Sequence, residues 1–134
     1  MARLNVLLDS DILIDWLEGQ TWAKTLIWDS NLRLYCSNVS RKELLAKRGL
    51  SNRERQKILR LLRLVRVVDV DSTIAAAASE LLQKYKRYPL RVDDALIAAT
   101  AWVKRFPLLT RNRKHYRFIE EIELVEIPSV VGQR

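Results

Sequence analysis

A chain of 134 residues, 49% hydrophobic and 30% charged with a formal net charge of +8, suits one compact domain over 1–134 that buries its apolar surface without covalent staples. Its single cysteine, Cys36, excludes an internal disulfide, and with His115 as the only histidine no zinc-finger ligand set exists. No apolar stretch approaches ~18 residues and the opening apolar run is too short for a signal-peptide core, so a soluble cytoplasmic protein with no membrane contact is expected.

Short runs rich in Val, Leu and Ile predict strands at Leu4–Leu8, Leu32–Cys36, Leu64–Val70, Leu108–Thr110 and Glu123–Ile127. Helical patterns fill the gaps. Ile12–Glu18 and Trp22–Trp28 form the first crossover, Ser40–Lys47 and Asn52–Arg63 the second, and Thr73–Tyr88 with Val92–Arg105 the third. Gly19 and Gly49 read as helix ends, Pro89 as a break between two helices, and Pro107 as a stop before the fourth strand. Alternation of this kind predicts a mostly parallel sheet covered by helices on both faces. Over Asn52–Arg63 the apolar residues form one stripe and Arg53, Lys57, Arg60 and Arg63 another, so the basic charge should face outward.

That charge is uneven. Arg41 to Arg66 carries ten Lys or Arg against Glu43 and Glu54 alone, and Ala95 to Ile119 has no carboxylate. Such fields attract polyanions, nucleic acid above all, although a solvated helix face accounts for the same residues.

In an open parallel sheet, sites form beyond the carboxyl ends of the strands. Asp9 and Asn112 fall at such ends, Glu43 lies a short turn past the second strand, and Asp94 opens a helix whose apolar body must be buried. Converging carboxylates repel and raise one another's pKa unless a cation is present, and a hard ion such as Mg²⁺ or Mn²⁺ takes oxygen ligands of this type. With a metal-activated water, such a site hydrolyses phosphodiesters. Each residue also has a plain structural role open to it. Asp9 or Ser10 reads as an N-cap, Ser40 to Glu43 as a capping box like Ser51 to Glu54, Asp93 and Asp94 as complements of a helix dipole, and Asn112 as a turn amide.

Taken together, four stretches resemble the PIN-domain nucleases, and within them the VapC-type toxins of toxin–antitoxin pairs. They are Asn5-Val6-Leu7-Leu8-Asp9-Ser10-Asp11-Ile12-Leu13-Ile14-Asp15, Ser37-Asn38-Val39-Ser40-Arg41-Lys42-Glu43-Leu44, Val92-Asp93-Asp94-Ala95-Leu96-Ile97-Ala98-Ala99-Thr100-Ala101, and Leu108-Leu109-Thr110-Arg111-Asn112-Arg113-Lys114-His115-Tyr116. The resemblance spans almost the whole chain. It implies a three-layer α/β/α sandwich and an endoribonuclease dependent on Mg²⁺ or Mn²⁺, with Asp9, Glu43 and Asp94 as ligands and Asn112 as a fourth catalytic position. Many relatives carry Asp where Asn112 stands, which implies a second ion held weakly or only with RNA phosphates. It further implies cleavage to a 5′-phosphate and a 3′-hydroxyl, a homodimer, and a small antitoxin whose tail covers the groove.

Arg111, Arg113 and Lys114 after the fourth strand, and Arg41 and Lys42 beside Glu43, are candidates to grip RNA phosphates. Ser40, Thr110 and Asp11 are candidates to support the ligands by hydrogen bonds. Trp16, Trp22 and Trp28 offer either a contact for a partner or core packing, with the core expected for at least two of the four tryptophans. Two other readings compete: a non-catalytic RNA-binding module of the same fold, motivated by Asn112, and a phosphoacceptor domain, for which Lys114 would hold the phosphoryl group. A metal-free ribonuclease working by a histidine pair has only His115 to draw on.

Overall fold

The computed structural model describes residues 3–126. Four strands, β1 (Leu4–Leu8), β2 (Leu32–Ser37), β3 (Arg66–Val68) and β4 (Leu108–Leu109), form one sheet in the order β3-β2-β1-β4. All three pairings are parallel, with Leu4 opposite Leu32, Tyr35 opposite Arg66 and Leu7 opposite Leu108. The connections are helical, as parallel strands require: α1 (Ser10–Leu17), α2 (Thr21–Ile27), α3 (Asn38–Leu45), α4 (Asn52–Leu64), α5 (Ser72–Lys84) and α6 (Val92–Lys104).

Side-chain alternation along β1 divides the core in two. Val6 and Leu8 point into a cluster with Ile12, Leu13, Leu26, Leu44, Ile58 and Leu61 from α1 to α4. Leu7 points the other way, among Ile74, Ala77, Leu81, Ile97, Ala98 and Tyr116, beneath α5 and α6. The sheet is therefore the middle of three layers, the α/β/α arrangement expected. The small residues of α6 let it lie close over the sheet: Ala95, Ala98, Ala99 and Ala101 are all buried.

The structure corrects several expected boundaries. Leu64 closes α4 rather than opening a strand: it is exposed, while the buried face of the helix runs through Ile58 and Leu61 to Val65, and β3 is only three residues long. The segment expected as a fifth strand reaches the sheet through a single parallel bridge, Leu108 to Leu124, and Ile127 lies outside the described residues. The capping box expected at Ser40 to Glu43 does not exist. The helix starts earlier, at Asn38, with Ser37 as its N-cap accepting from the Val39 N–H, so Ser40 is already inside it. At Ser51 to Glu54 the box is complete in both directions, a cap worth about 1 kcal/mol. No tryptophan among the described residues is fully buried: Trp16 and Trp22 pack from the edge against one cluster, Trp102 against the other, and Trp28 is 70% exposed.

Candidate active site

The strand order reverses at β1, since the chain leaves it on one side toward β2 and β3 and returns on the other as β4. Loops diverge there and leave a crevice beyond the strand ends. Asp9 occupies that point. Its backbone N–H donates to the Leu109 carbonyl at 3.0 Å, while its side chain, only 6% exposed, accepts from the Ser10 N–H at 2.8 Å and from the Thr110 hydroxyl at 2.8 Å. Asp9 is thus both the N-cap of α1 and the innermost carboxylate of the crevice.

Glu43 reaches the same place from α3. Ser10 Oγ donates to Glu43 Oε1 at 3.3 Å and lies 2.7 Å from Ser40 Oγ, so a buried pair of hydroxyls ties α1 to α3 behind the glutamate. Asp94 arrives from the first turn of α6. Tyr116 donates its phenol to Asp94 Oδ1 at 3.2 Å, and His115 Nδ1 stands 3.7 Å from Oδ2. Asp93, one helical step away, faces outward beside Arg91 at 3.6 Å.

Each carboxylate therefore receives a hydroxyl from a neighbour: Thr110 for Asp9, Ser10 for Glu43, Tyr116 for Asp94. Neutral donors orient an acid without cancelling its charge. Burial, opposed by the Thr110 and Ser10 hydrogen bonds and reinforced by the charge of Asp94, pushes the Asp9 carboxyl up. Burial and the nearby Asp93, Asp9 and Asp94 do the same to Glu43, and burial with Asp93 does so to Asp94. Asp11 is pushed up as well, by burial and then by Asp9.

These features fit a hard divalent cation: the donors are oxygens, their charges repel one another, and no Lys or Arg forms an ion pair with Asp9 or Glu43 among the described residues. No three His, Cys, Asp or Glu side chains among the described residues are drawn together tightly enough to enclose an ion unaided. An ion here would complete its shell with water or substrate oxygens, the ordinary habit of Mg²⁺.

The remaining candidates are placed differently. Asn112 is exposed, and its backbone N–H rather than its side-chain amide joins the network, donating to Thr110 Oγ1 at 3.0 Å. Arg111 is engaged within the protein. Its guanidinium grips Asp15 with two bonds, Nε to Oδ2 at 2.7 Å and Nη2 to Oδ1 at 2.9 Å, while its backbone N–H donates to Asp11 Oδ2 at 2.9 Å. Arg113 pairs with Glu126 at 3.1 Å. Arg41, Lys42 and Lys114 are exposed. Ser10, Asp15 and Tyr116 are participants that sequence reasoning missed as such; Ser10 and Tyr116 stand inside the quoted motifs but carry no charge to mark them. An apolar groove leads away from Ser10 and Glu43 over Ile14, Leu44, Leu50 and Ile58. Its rim is charged, with Lys47, Lys57, Glu18 and Glu54.

A parallel α/β sandwich with acidic side chains gathered at its strand reversal defines the class of α/β proteins whose sites lie beyond the strand ends. The chain belongs to the PIN domain family, whose model matches residues 6–121. It is 35% identical over 124 residues to Ribonuclease VapC10 of Mycobacterium tuberculosis, covering 88% of this chain and 90% of that protein. Ribonuclease VapC1 of Methanocaldococcus jannaschii is 32% identical over 80 residues, 58% of this chain and 59% of its own length. Among solved structures, a chain of the toxin-antitoxin complex from Klebsiella pneumoniae superposes with a TM-score of 0.73 at 28% identity, covering 91% of this chain and 97% of that one. A chain of VapBC2 from Rickettsia felis shares the fold at a TM-score of 0.80 and 19% identity, over 91% and 98% of the two chains.

Proposed function

We infer that the protein is a divalent-metal-dependent endoribonuclease and the toxin of a type II toxin–antitoxin pair. The observation that carries this reading is that Asp9, Glu43 and Asp94, from three separate elements, lie near enough to feel one another's charge, each with a hydroxyl donor and with no ion pair on Asp9 or Glu43 among the described residues. Family membership and the ribonuclease relatives support it. Asp9 and Asp94, with Glu43 directly or through water, would hold Mg²⁺ or Mn²⁺. When bound, the ion neutralises the three acids, polarises the scissile phosphate and activates water. Ser10, Ser40, Thr110 and Tyr116 would keep the acids aimed, and Arg41, Lys42 and Lys114 would hold flanking phosphates.

The 134 residues would act as one domain, in the cytoplasm, as a homodimer. No helix of the described residues is long and apolar enough to cross a membrane. A cognate antitoxin would lay an amphipathic tail in the groove over Ile14, Leu44, Leu50 and Ile58, closing the crevice.

The decisive experiment is sequencing of RNA ends produced by wild type and by Asp94→Asn, with Mg²⁺ and with EDTA. Cleavage by wild type should need the ion and fall by more than about 100-fold in the variant, since even outer supports of a metal ligand are worth 10–100-fold. Equal cutting by Asp94→Asn, or cutting undiminished in EDTA, removes the reading.

A further inference from the structure

We propose that the Tyr116 hydroxyl is a positioning group for the acidic crevice, holding Asp94 and Asp9 at the separation that an ion needs. The inference rests on the reading of these two acids as metal ligands. Tyr116 follows the short 3-10 turn Arg113–His115, and its ring is fully buried in the cluster with Leu7, Ile97, Ala98 and Ile119. An aromatic side chain has two rotatable bonds, and one wedged in this way cannot swing aside. Its only polar atom then emerges at one fixed place, against Asp94. It donates to Asp94 Oδ1 at 3.2 Å, with the charge of Asp9 close by.

The two acids need such a tie for different reasons. Asp9 is already fixed by Thr110 and by the Ser10 N–H. Asp94 stands in the first turn of α6 with Tyr116 alone among the described residues donating to its carboxylate at hydrogen-bonding distance, and with Asp93 and Asp9 repelling it. Without the phenol, the side chain of Asp94 is free to rotate away from Asp9. A lysine in the same place would orient the acid but cancel the charge that attracts the ion.

Tyr116→Phe tests this, because phenylalanine keeps the ring and removes one hydroxyl. Tyr85→Phe is the control: it deletes another phenol bonded to a carboxylate, Glu121 at 2.7 Å, at the C-terminal end of α5. Calorimetric titration with Mn²⁺ should show binding weakened roughly 10- to 100-fold in Tyr116→Phe and unchanged in Tyr85→Phe. The melting temperature without metal should stay close to wild type, whereas the rise caused by Mn²⁺ should shrink. A dissociation constant within twofold of wild type overturns the proposal, as does a Tyr116→Phe chain that fails to fold or a wild type that binds no Mn²⁺. RNA cleavage by wild type in the same buffer reports separately on the nuclease reading, so binding that depends on Tyr116 in a protein that never cuts RNA would retire that reading and leave this one.

Discussion

Thr110 and Asp9, 101 positions apart in the chain, are joined by a 2.8 Å hydrogen bond in the interior of the crevice. The same hydroxyl accepts from the Asn112 N–H, so one threonine fixes both the innermost acid and the turn that follows β4. Thr110→Val keeps the shape and removes both bonds. Loss of a donor to a buried carboxylate should cost about 1–3 kcal/mol, read by urea unfolding, and should weaken Mn²⁺ binding roughly 10-fold or more. Unchanged values in both would mean that Asp9 is held adequately by the Ser10 N–H.

Protons and metal ions should compete for the crevice. Asp9, Asp11, Glu43 and Asp94 all have raised values in the folded protein. Their contribution to stability is complete below the ordinary carboxylate range near 4 and is lost as pH rises through the folded values. A divalent ion relieves the same repulsion, so the gain in melting temperature on adding Mg²⁺ should be small near about pH 4 and grow toward about pH 8. Thermal denaturation with EDTA and with Mg²⁺ across that range checks this; an equal gain at every pH rules it out.

Arg111 should matter for stability and not for the grip on RNA. Asp15 is buried and loses two bonds in Arg111→Ala, at a cost of about 1–3 kcal/mol. Binding of single-stranded RNA to an Asp94→Asn background, followed against salt, should keep its slope in Arg111→Ala. In Lys42→Ala the slope should fall by about 0.7, the change expected for one phosphate contact. A slope reduced by Arg111→Ala would show that the arginine leaves Asp15 to meet RNA.

Cys36 should be inert in the native protein. It is fully buried on β2, and burial pushes its thiol up to about 12, which leaves almost no thiolate at neutral pH. Iodoacetamide should label the protein only in denaturant, as mass spectrometry would report. Rapid labelling of native protein would point to opening of the central sheet.

The sheet and its helical covers were legible because they follow from local periodicity, and so was the placing of Asp9 and Asp94 at element ends. Boundaries that depend on long-range partners were not. Ser40 reads locally as a cap, yet inside α3 it turns inward to meet Ser10, a contact set by the packing of α1 on α3. Arg111 reads as a phosphate ligand beside two more cations, but Asp15 on the facing turn of α1 claims it, which only the meeting of β4 with β1 reveals. Tyr116 gave no signal in sequence, since a buried tyrosine and a buried phenylalanine share the same pattern until the partner of the hydroxyl is known.

Two of the three hydroxyls that steer the acids, those of Thr110 and Tyr116, come from the stretch of chain that follows one edge strand of the sheet. That edge is β4, two residues long and steadied on its outer side by a lone bridge to Leu124. Short margins open at lower free energy than centres. On warming, the enzyme should fall silent while its core is still intact, a built-in fuse at the periphery rather than a failure of the whole.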